Sequence, residues 1–158
     1  MEKLSLILWR ERELLETLLY RLEVEQLVLA QGRSRWLMRA ANDVESILQQ
    51  LRETEILRAM AADEAATSVG LSANPSLRVL AESVPEPWHE ILIDHRDAFV
   101  SLTDQVIALA GVNRDLITTG YRAARETLLD LGGAPDSYGQ DGAAVATAPA
   151  TRRFDRSL

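Results

Sequence analysis

The stretch from Pro87 to Leu131 constrains the fold more than any other part of this chain. It runs for about 45 residues with no proline after Pro87, and its only glycines are Gly111 and Gly120. Apolar residues recur in it at the heptad spacing of one buried helical seam, namely Trp88, Leu92, Phe99, Leu102, Val106, Leu109 and Leu116. The spacing predicts a single helix roughly 68 Å long, at ~1.5 Å per residue.

Two polar residues, His95 and Asn113, occupy positions on this seam. We interpret His95 as a hydrogen-bonded histidine of the core or its rim. Asn113 is either a residue that sets the helix register or a polar handle in a peptide-binding groove. Beyond Asn113 the apolar stripe drifts to Ile117, Tyr121, Ala124, Leu128 and Leu131. One domain cannot bury both stripes by itself, so another part of this chain or another chain must cover the second.

Two further helices are predicted before this stretch. The first runs from about residue 2 to Gln31, and its apolar face holds Leu4, Leu8, Leu15, Leu18, Leu22 and Leu29, widened by Ile7, Leu14 and Leu19. The charged residues between them, Glu11, Glu13, Glu16, Arg21, Glu23 and Glu25, are expected on the outer surface. The second helix runs from about Arg35 to Ala66, with a seam of Leu37, Ala41, Val44, Leu48 and Leu51 and a weakly patterned, alanine-rich end.

The junction between these helices carries a helix stop followed by a helix start. Gly32 suits the left-handed residue that follows a helix, and Ser34 suits the N-cap of the next. So short a turn predicts an antiparallel hairpin. The competing interpretation is one continuous helix with a kink at Gly32.

Turn-forming residues then predict a connector, followed by a short helix over Ser76–Val84 with Asn74 as its N-cap and Pro75 as its first residue. Gly132-Gly133 ends the long helix, and the Gly-, Ala- and Pro-rich remainder is predicted to be disordered. The sequence therefore predicts an all-α antiparallel bundle of three main helices, with one short extra helix in the connector. The bundle domain covers residues 1–132 and a flexible tail covers 133–158.

Composition excludes several classes of function. The net charge is −7 and no basic block occurs in the predicted helices, which argues against nucleic acid as a partner. No segment approaches the ~20 apolar residues of a membrane span, so we expect a cytoplasmic protein without membrane insertion. Without cysteine there is no thiolate ligand or nucleophile. Glu86-Pro87-Trp88-His89 is one Glu-x-x-His element where a di-iron site needs two, so we expect no metal, no cofactor and no enzymatic activity.

The order of these features resembles the FlgN family of flagellar type III export chaperones. The resemblance rests on the leucine-rich first helix, on Leu48-x-x-Leu51, on Asn113-Arg114-Asp115-Leu116-Ile117 and on Tyr138-Gly139-Gln140-Asp141-Gly142. It covers roughly residues 4–142. The connector with its short helix, over Ser68–Val84, departs from the family pattern.

The resemblance implies a function and its residues. Members bind the C-terminal helical segments of hook-associated proteins in the cytoplasm, prevent their premature assembly and deliver them to the export gate. The implied cargo-binding residues here are Asn113, Leu116, Ile117, Tyr121, Ala124, Leu128 and Leu131. Docking on the export gate falls to Tyr138, Gly139 and Gly142. A coiled-coil homodimer without cargo and a ferritin-like metalloprotein are the alternatives, and the second already lacks ligands.

Overall fold

The computed structural model describes residues 1–132, and all the regular structure in that range is helical. Its helices are α1 (Glu2–Ala30), α2 (Ser34–Ser68), α3 (Leu77–Glu82) and α4 (Trp88–Gly132). The predicted class and the predicted order of helices are confirmed. The chain divides into two compact units, Met1–Thr118 and Thr119–Leu158. The tail predicted over 133–158 lies outside the described residues, and the domain boundary at residue 132 remains a prediction.

The turn after α1 is a glycine-terminated helix end, as predicted. Gly32 has a φ of +62°. Its N–H donates to the Leu29 carbonyl, and the N–H of Arg33 donates to the Val28 carbonyl, each at 3.1 Å. These two bonds satisfy carbonyls that the helix end leaves free. The prediction of Ser34 as N-cap is wrong, because Ser34 is already helical and Arg33 occupies the cap without a side-chain bond.

Ion pairs show that α1 and α2 are antiparallel neighbours. Near the start of α1, Lys3 Nζ lies 2.8 Å from a carboxylate oxygen of Glu64, close to the end of α2. Near the end of α1, Arg21 lies 3.3 Å from Asp43, in the first part of α2. The hairpin interpretation is therefore confirmed, and the continuous helix kinked at Gly32 is excluded.

Contacts between α1 and α4 show that these two helices run parallel. The Arg12 guanidinium lies 3.1 Å from the Asp94 carboxylate. Further along both helices, the Asn113 amide nitrogen donates to the Leu22 carbonyl at 3.0 Å. α1 is therefore in contact with both other long helices of the first unit, which are antiparallel to each other.

The apolar core is concentrated where α1 and α4 begin and α2 ends. The cluster of buried apolar residues there consists of Leu4, Leu8, Ala61, Ala62, Ala65, Leu80, Ala81, Val84 and Leu92. The alanine-rich end of α2, expected to be weakly patterned, is among the most buried parts of the chain. Ala66, like Leu80 and Ala81 of α3, has no exposed surface. Small side chains at the end of α2 leave room for α3 against the long helices, so the connector helix belongs to the core.

The start of α3 corrects a second cap. Asn74 has a φ of +58°, and its N–H donates to the Asp63 carboxylate at 2.6 Å. An N-cap residue needs extended backbone, so a left-handed Asn74 cannot serve as one. Ser76 takes that place, and its hydroxyl accepts from the Val79 N–H at 3.3 Å.

The α4 seam lies where its spacing predicts. All of the predicted seam residues, from Trp88 to Leu116, are buried or half-buried. Two glutamates of α1 do not lie where predicted. Glu25 is buried and Glu11 is half-buried, although both were placed on the outer surface. Steps of three and four from Leu4 pass through both glutamates, so they occupy seam positions between leucines.

Candidate protein-binding surface and polar seam positions

The last part of α4 presents apolar side chains to solvent. Every described residue from Ile117 to Leu131 is exposed. The exposed fraction is 49% for Ile117, 70% for both Tyr121 and Leu128, and 80% for Leu131. Successive steps of four and three place these residues, with Ala124, on one helix face, which we call the α4 stripe. Leu129 is 64% exposed but lies on another face.

The other two residues predicted to bind cargo are not in the α4 stripe. Leu116 is half-buried and continues the seam. Asn113 is 2% exposed, and its amide nitrogen donates to the Leu22 carbonyl at 3.0 Å and to the Glu25 carboxylate at 2.9 Å. This position agrees with the interpretation of Asn113 as a residue that sets the helix register. Its amide nitrogen is hydrogen-bonded to α1 and is not accessible to a partner.

The second polar seam residue, His95, has different surroundings. Its side chain has no exposed surface, and neither ring nitrogen has a hydrogen-bond partner among the described residues. The Trp9 ring meets it edge-on at 4.9 Å between centroids, and the Phe99 ring stacks at 6.1 Å. Burial in these surroundings lowers the pKa of His95 below its usual value. The expectation of a hydrogen-bonded histidine is therefore wrong, while its core position is confirmed.

A cavity of ≈ 420 Å³ opens beside His95, between the first parts of α1 and α4. We call it the His95 cavity, and it is lined by Ser5, Trp9, Glu90, Ile91, Asp94 and His95. The amino-acid sequence alone does not predict this cavity. Its walls come from two helices about 80 residues apart in the chain, and the pattern of one helix does not reveal which residues of another it meets.

Glu11 and Arg58 form the remaining polar contact on the seams. Arg58 Nε of α2 lies 2.8 Å from Glu11 Oε2 of α1, which makes the two an ion pair by distance although their geometry is not that of a hydrogen bond. Burial raises the pKa of Glu11 above its usual value, Arg58 opposes this shift, and the nearby Glu55 adds to it. The pair therefore holds a partly desolvated carboxylate between helices.

The described residues offer no ready metal site. Within residues 1–132, no group of three or more histidines, aspartates or glutamates is placed to hold an ion. His89, the histidine of the Glu-x-x-His element, has Nδ1 2.8 Å from the Ala81 carbonyl and so links α4 to α3. No helix in this range is long and apolar enough to cross a membrane. The gate-docking residues Tyr138, Gly139 and Gly142 lie outside the described residues.

The described residues place the chain in the class of all-α proteins, and its last helix carries an apolar face that is exposed to solvent. A sequence model described as FlgN protein matches residues 1–146, and the chain therefore belongs to the FlgN family. This is a family of flagellar export chaperones and not of enzymes. Neither a curated protein nor a solved structure matches the chain.

Proposed function

We propose that this chain is a cytoplasmic secretion chaperone that uses the α4 stripe to bind C-terminal helical segments of hook-associated proteins. Bound in this way, the cargo cannot assemble prematurely, and the chaperone delivers it to the type III export gate. The observation that carries the proposal is the run of exposed apolar side chains from Ile117 to Leu131. The family membership supplies the cargo class.

The shape of the α4 stripe suits a helical partner. Its residues recur at steps of four and three over about four turns, which is the pattern that an amphipathic helix meets when it lies alongside. Large apolar side chains on one exposed face favour association, because each Leu or Ile removed from water contributes about 1.5–3 kcal/mol. Ordering the partner on binding costs part of that gain, which keeps the complex reversible.

Delivery is proposed to depend on Tyr138 with Gly139 and Gly142. A single tyrosine followed by two nearby glycines can enter a pocket of the export gate and leave it again, because one aromatic anchor gives only modest affinity. Its role separates from that of the α4 stripe. Tyr138→Ala should leave cargo affinity unchanged and reduce export of the cargo in a secretion assay. Loss of cargo binding in this variant would move Tyr138 into the cargo site.

Calorimetric titration with C-terminal segments of candidate hook-associated proteins tests the cargo site. The full chain should bind saturably with a negative heat-capacity change. Leu128→Asp should weaken binding by at least ~30-fold, since it removes one apolar contact worth about 2 kcal/mol and places a charge there. Leu129→Asp is the matched control, equally exposed but on another face, and should stay within about threefold.

Three results would contradict the proposal. Absence of saturable binding by the full chain is the first, and equal damage from the two aspartate variants is the second. Loss of helicity in Leu128→Asp by circular dichroism is the third, because it would make the α4 stripe part of a core. A concentration-dependent dimer in sedimentation that Leu128→Asp dissociates, with no cargo binding, would instead assign the stripe to a second copy of this chain.

A further inference from the structure

The turn between α1 and α2 carries positive charge, although the chain as a whole is acidic. Between residues 26 and 42 the sequence holds three arginines, Arg33, Arg35 and Arg39, and no carboxylate. Because the net charge of the whole chain is −7, the residues outside this segment are more acidic still. The three arginines therefore form a local basic surface, which attracts anionic partners to this end of the hairpin.

The charges of these arginines are not neutralised within residues 1–132. All three residues are exposed, and none of them forms an ion pair with another described residue. The Arg35 guanidinium lies 4.6 Å from the centroid of the Trp36 ring, a contact that orients the side chain and leaves its charge in place. Asp43, the first carboxylate after this segment, is paired with Arg21 at 3.3 Å. All three positive charges are therefore available to a partner.

A groove lies beside these arginines, between the end of α1 and the start of α2 and wholly within the first unit. Its volume is ≈ 190 Å³, and we call it the hairpin groove. It is lined by Val24, Val28, Trp36, Arg39, Ala40 and Asp43. Four of these side chains are apolar, and the charge of Asp43 is offset by Arg21. The groove therefore suits one large apolar side chain, with Arg39 in its wall placed to pair with a carboxylate next to that side chain.

We propose that the hairpin groove and its three arginines bind an acidic peptide segment of a partner protein. One large apolar side chain of that segment, such as leucine or phenylalanine, enters the groove as an anchor. Carboxylates on either side of the anchor pair with the arginines. A basic segment would be repelled by the same charges, and an anionic lipid surface would contact the arginines but leave the groove unfilled. Charge and shape together therefore favour an acidic peptide with one apolar anchor.

The test uses the full-length chain, isotope-labelled, and follows the resonance of the Trp36 indole N–H. The probe is a short blocked peptide of glutamates around a single phenylalanine, and glutamines replace the glutamates in the neutral probe. The acidic peptide should shift the Trp36 resonance saturably, and the neutral peptide should bind at least about fivefold more weakly. Replacing the phenylalanine of the acidic peptide with serine should weaken binding at least about threefold, because the groove loses its apolar anchor.

Two double substitutions locate the binding on the chain. Arg33→Gln with Arg39→Gln removes two of the three charges and leaves Arg35 in place, so it should weaken binding of the acidic peptide by at least about fivefold. Arg122→Gln with Arg125→Gln is the matched control. It removes two exposed charges of α4, far from the groove in the sequence, and should change binding by less than about twofold.

This surface is separate from the α4 stripe, and the proposal does not depend on the proposed function. Leu128→Asp should leave binding of the acidic peptide unchanged, so failure of the cargo site and failure of the hairpin groove can be told apart. Absence of saturation, an equal response to the neutral peptide, or equal effects of the two double variants would overturn the proposal. Loss of the Trp36 resonance on adding phosphatidylserine vesicles, without a response to the acidic peptide, would overturn it in favour of a lipid-binding surface.

Discussion

Asn113 and His95 lie on the same seam of α4 and face the same helix, α1, yet the two buried side chains differ in how far they are hydrogen-bonded to it. The Asn113 amide nitrogen donates to both the Leu22 carbonyl and the Glu25 carboxylate, while its Oδ1 has no hydrogen-bond partner among the described residues. His95 contacts Trp9 and Phe99 through its ring and has no hydrogen-bond partner among the described residues. The first side chain is hydrogen-bonded to α1 through its amide nitrogen, and the second contacts α1 through an aromatic ring alone.

The difference shows that the heptad pattern alone does not predict the role of a polar residue at a seam position. The pattern predicts that the residue contacts a neighbouring helix, and the side chains of that helix determine whether it is hydrogen-bonded. α1 presents a carboxylate to Asn113 and an aromatic ring to His95. A seam residue paired across two helices favours one register, whereas an unpaired one carries a cost in stability.

Among substitutions at these seam residues, Asn113→Leu is expected to change the free energy of unfolding most. The substitution leaves the Glu25 carboxylate buried without the amide that donates to it, which should lower the free energy of unfolding by about 2–3 kcal/mol. Urea unfolding followed by circular dichroism measures the loss. A loss below ~0.5 kcal/mol would show that the contact is not structural and would return Asn113 to the candidate cargo surface.

The matched control for that variant is the double substitution Glu25→Leu with Asn113→Leu. Replacing both partners with apolar side chains removes the unpaired group, so most of the lost stability should return. The double variant is expected to lie within about 1 kcal/mol of the parent chain. Additive losses from the two single substitutions would mean that Glu25 and Asn113 do not stabilise the bundle through each other.

The sequence was sufficient to predict the helices and the seam of α4, because periodicity is a local property. The same spacing on α1, applied from Leu4 onwards, passes through Glu11 and Glu25, so their buried positions could have been predicted. Their charge predicts an exposed position and their register a buried one, and in the structure the register decides. Gly32 was predicted correctly, since a left-handed turn residue leaves a local signal.

The pairing of helices could not be predicted in the same way. The His95 cavity joins Ser5 and Trp9 to residues around position 90, and no local pattern relates these positions. The capping of α3 was mispredicted because Asn74 and Ser76 both suit an N-cap. The Asp63 carboxylate, from α2, decides between them by holding the Asn74 N–H.

A smaller effect, of opposite sign, is expected from His95→Leu. The variant removes an unpaired polar group from a buried site and should raise the free energy of unfolding by about 1 kcal/mol. His89→Leu is the matched control: its Nδ1 lies 2.8 Å from the Ala81 carbonyl, so this variant should lose about 1 kcal/mol. Losses of equal size in both variants would mean that His95 contributes to stability as His89 does.

The pH dependence of stability also tests whether His95 is buried without a hydrogen-bond partner. Burial lowers the pKa of His95 below its usual 6.5, so the unfolded chain takes up a proton at a pH where the folded chain does not. Above pH 6.5 this titration leaves the stability of the fold unchanged, and as the pH falls below 6.5 the fold loses stability because only the unfolded chain takes up the proton. Urea unfolding across this range should show that decline in the parent chain and a flatter profile in His95→Leu.

The smallest change in the free energy of unfolding is expected from Glu11→Gln. Glu11 is a third polar seam residue, and it combines an ion pair with partial burial. Glu11 is paired, by Arg58 at 2.8 Å, yet burial still raises its pKa above 4.5. The folded chain therefore holds this proton to a higher pH than the unfolded chain does. The contribution of Glu11 is complete below pH 4.5 and is lost as the pH rises through the raised pKa, a sign opposite to that of His95.

In Glu11→Gln this loss of stability just above pH 4.5 should disappear, while stability at pH 7 should change by no more than about 0.5 kcal/mol. The change is small because Arg58 is partly exposed and retains Glu55 at 3.8 Å. Glu13→Gln serves as the control, since Glu13 is exposed and its partner Arg10 is also exposed. Comparing the pH profiles of the two variants separates desolvation from pairing. If both variants flatten the profile equally, Glu11 behaves as a surface carboxylate, and its seam position has no electrostatic consequence.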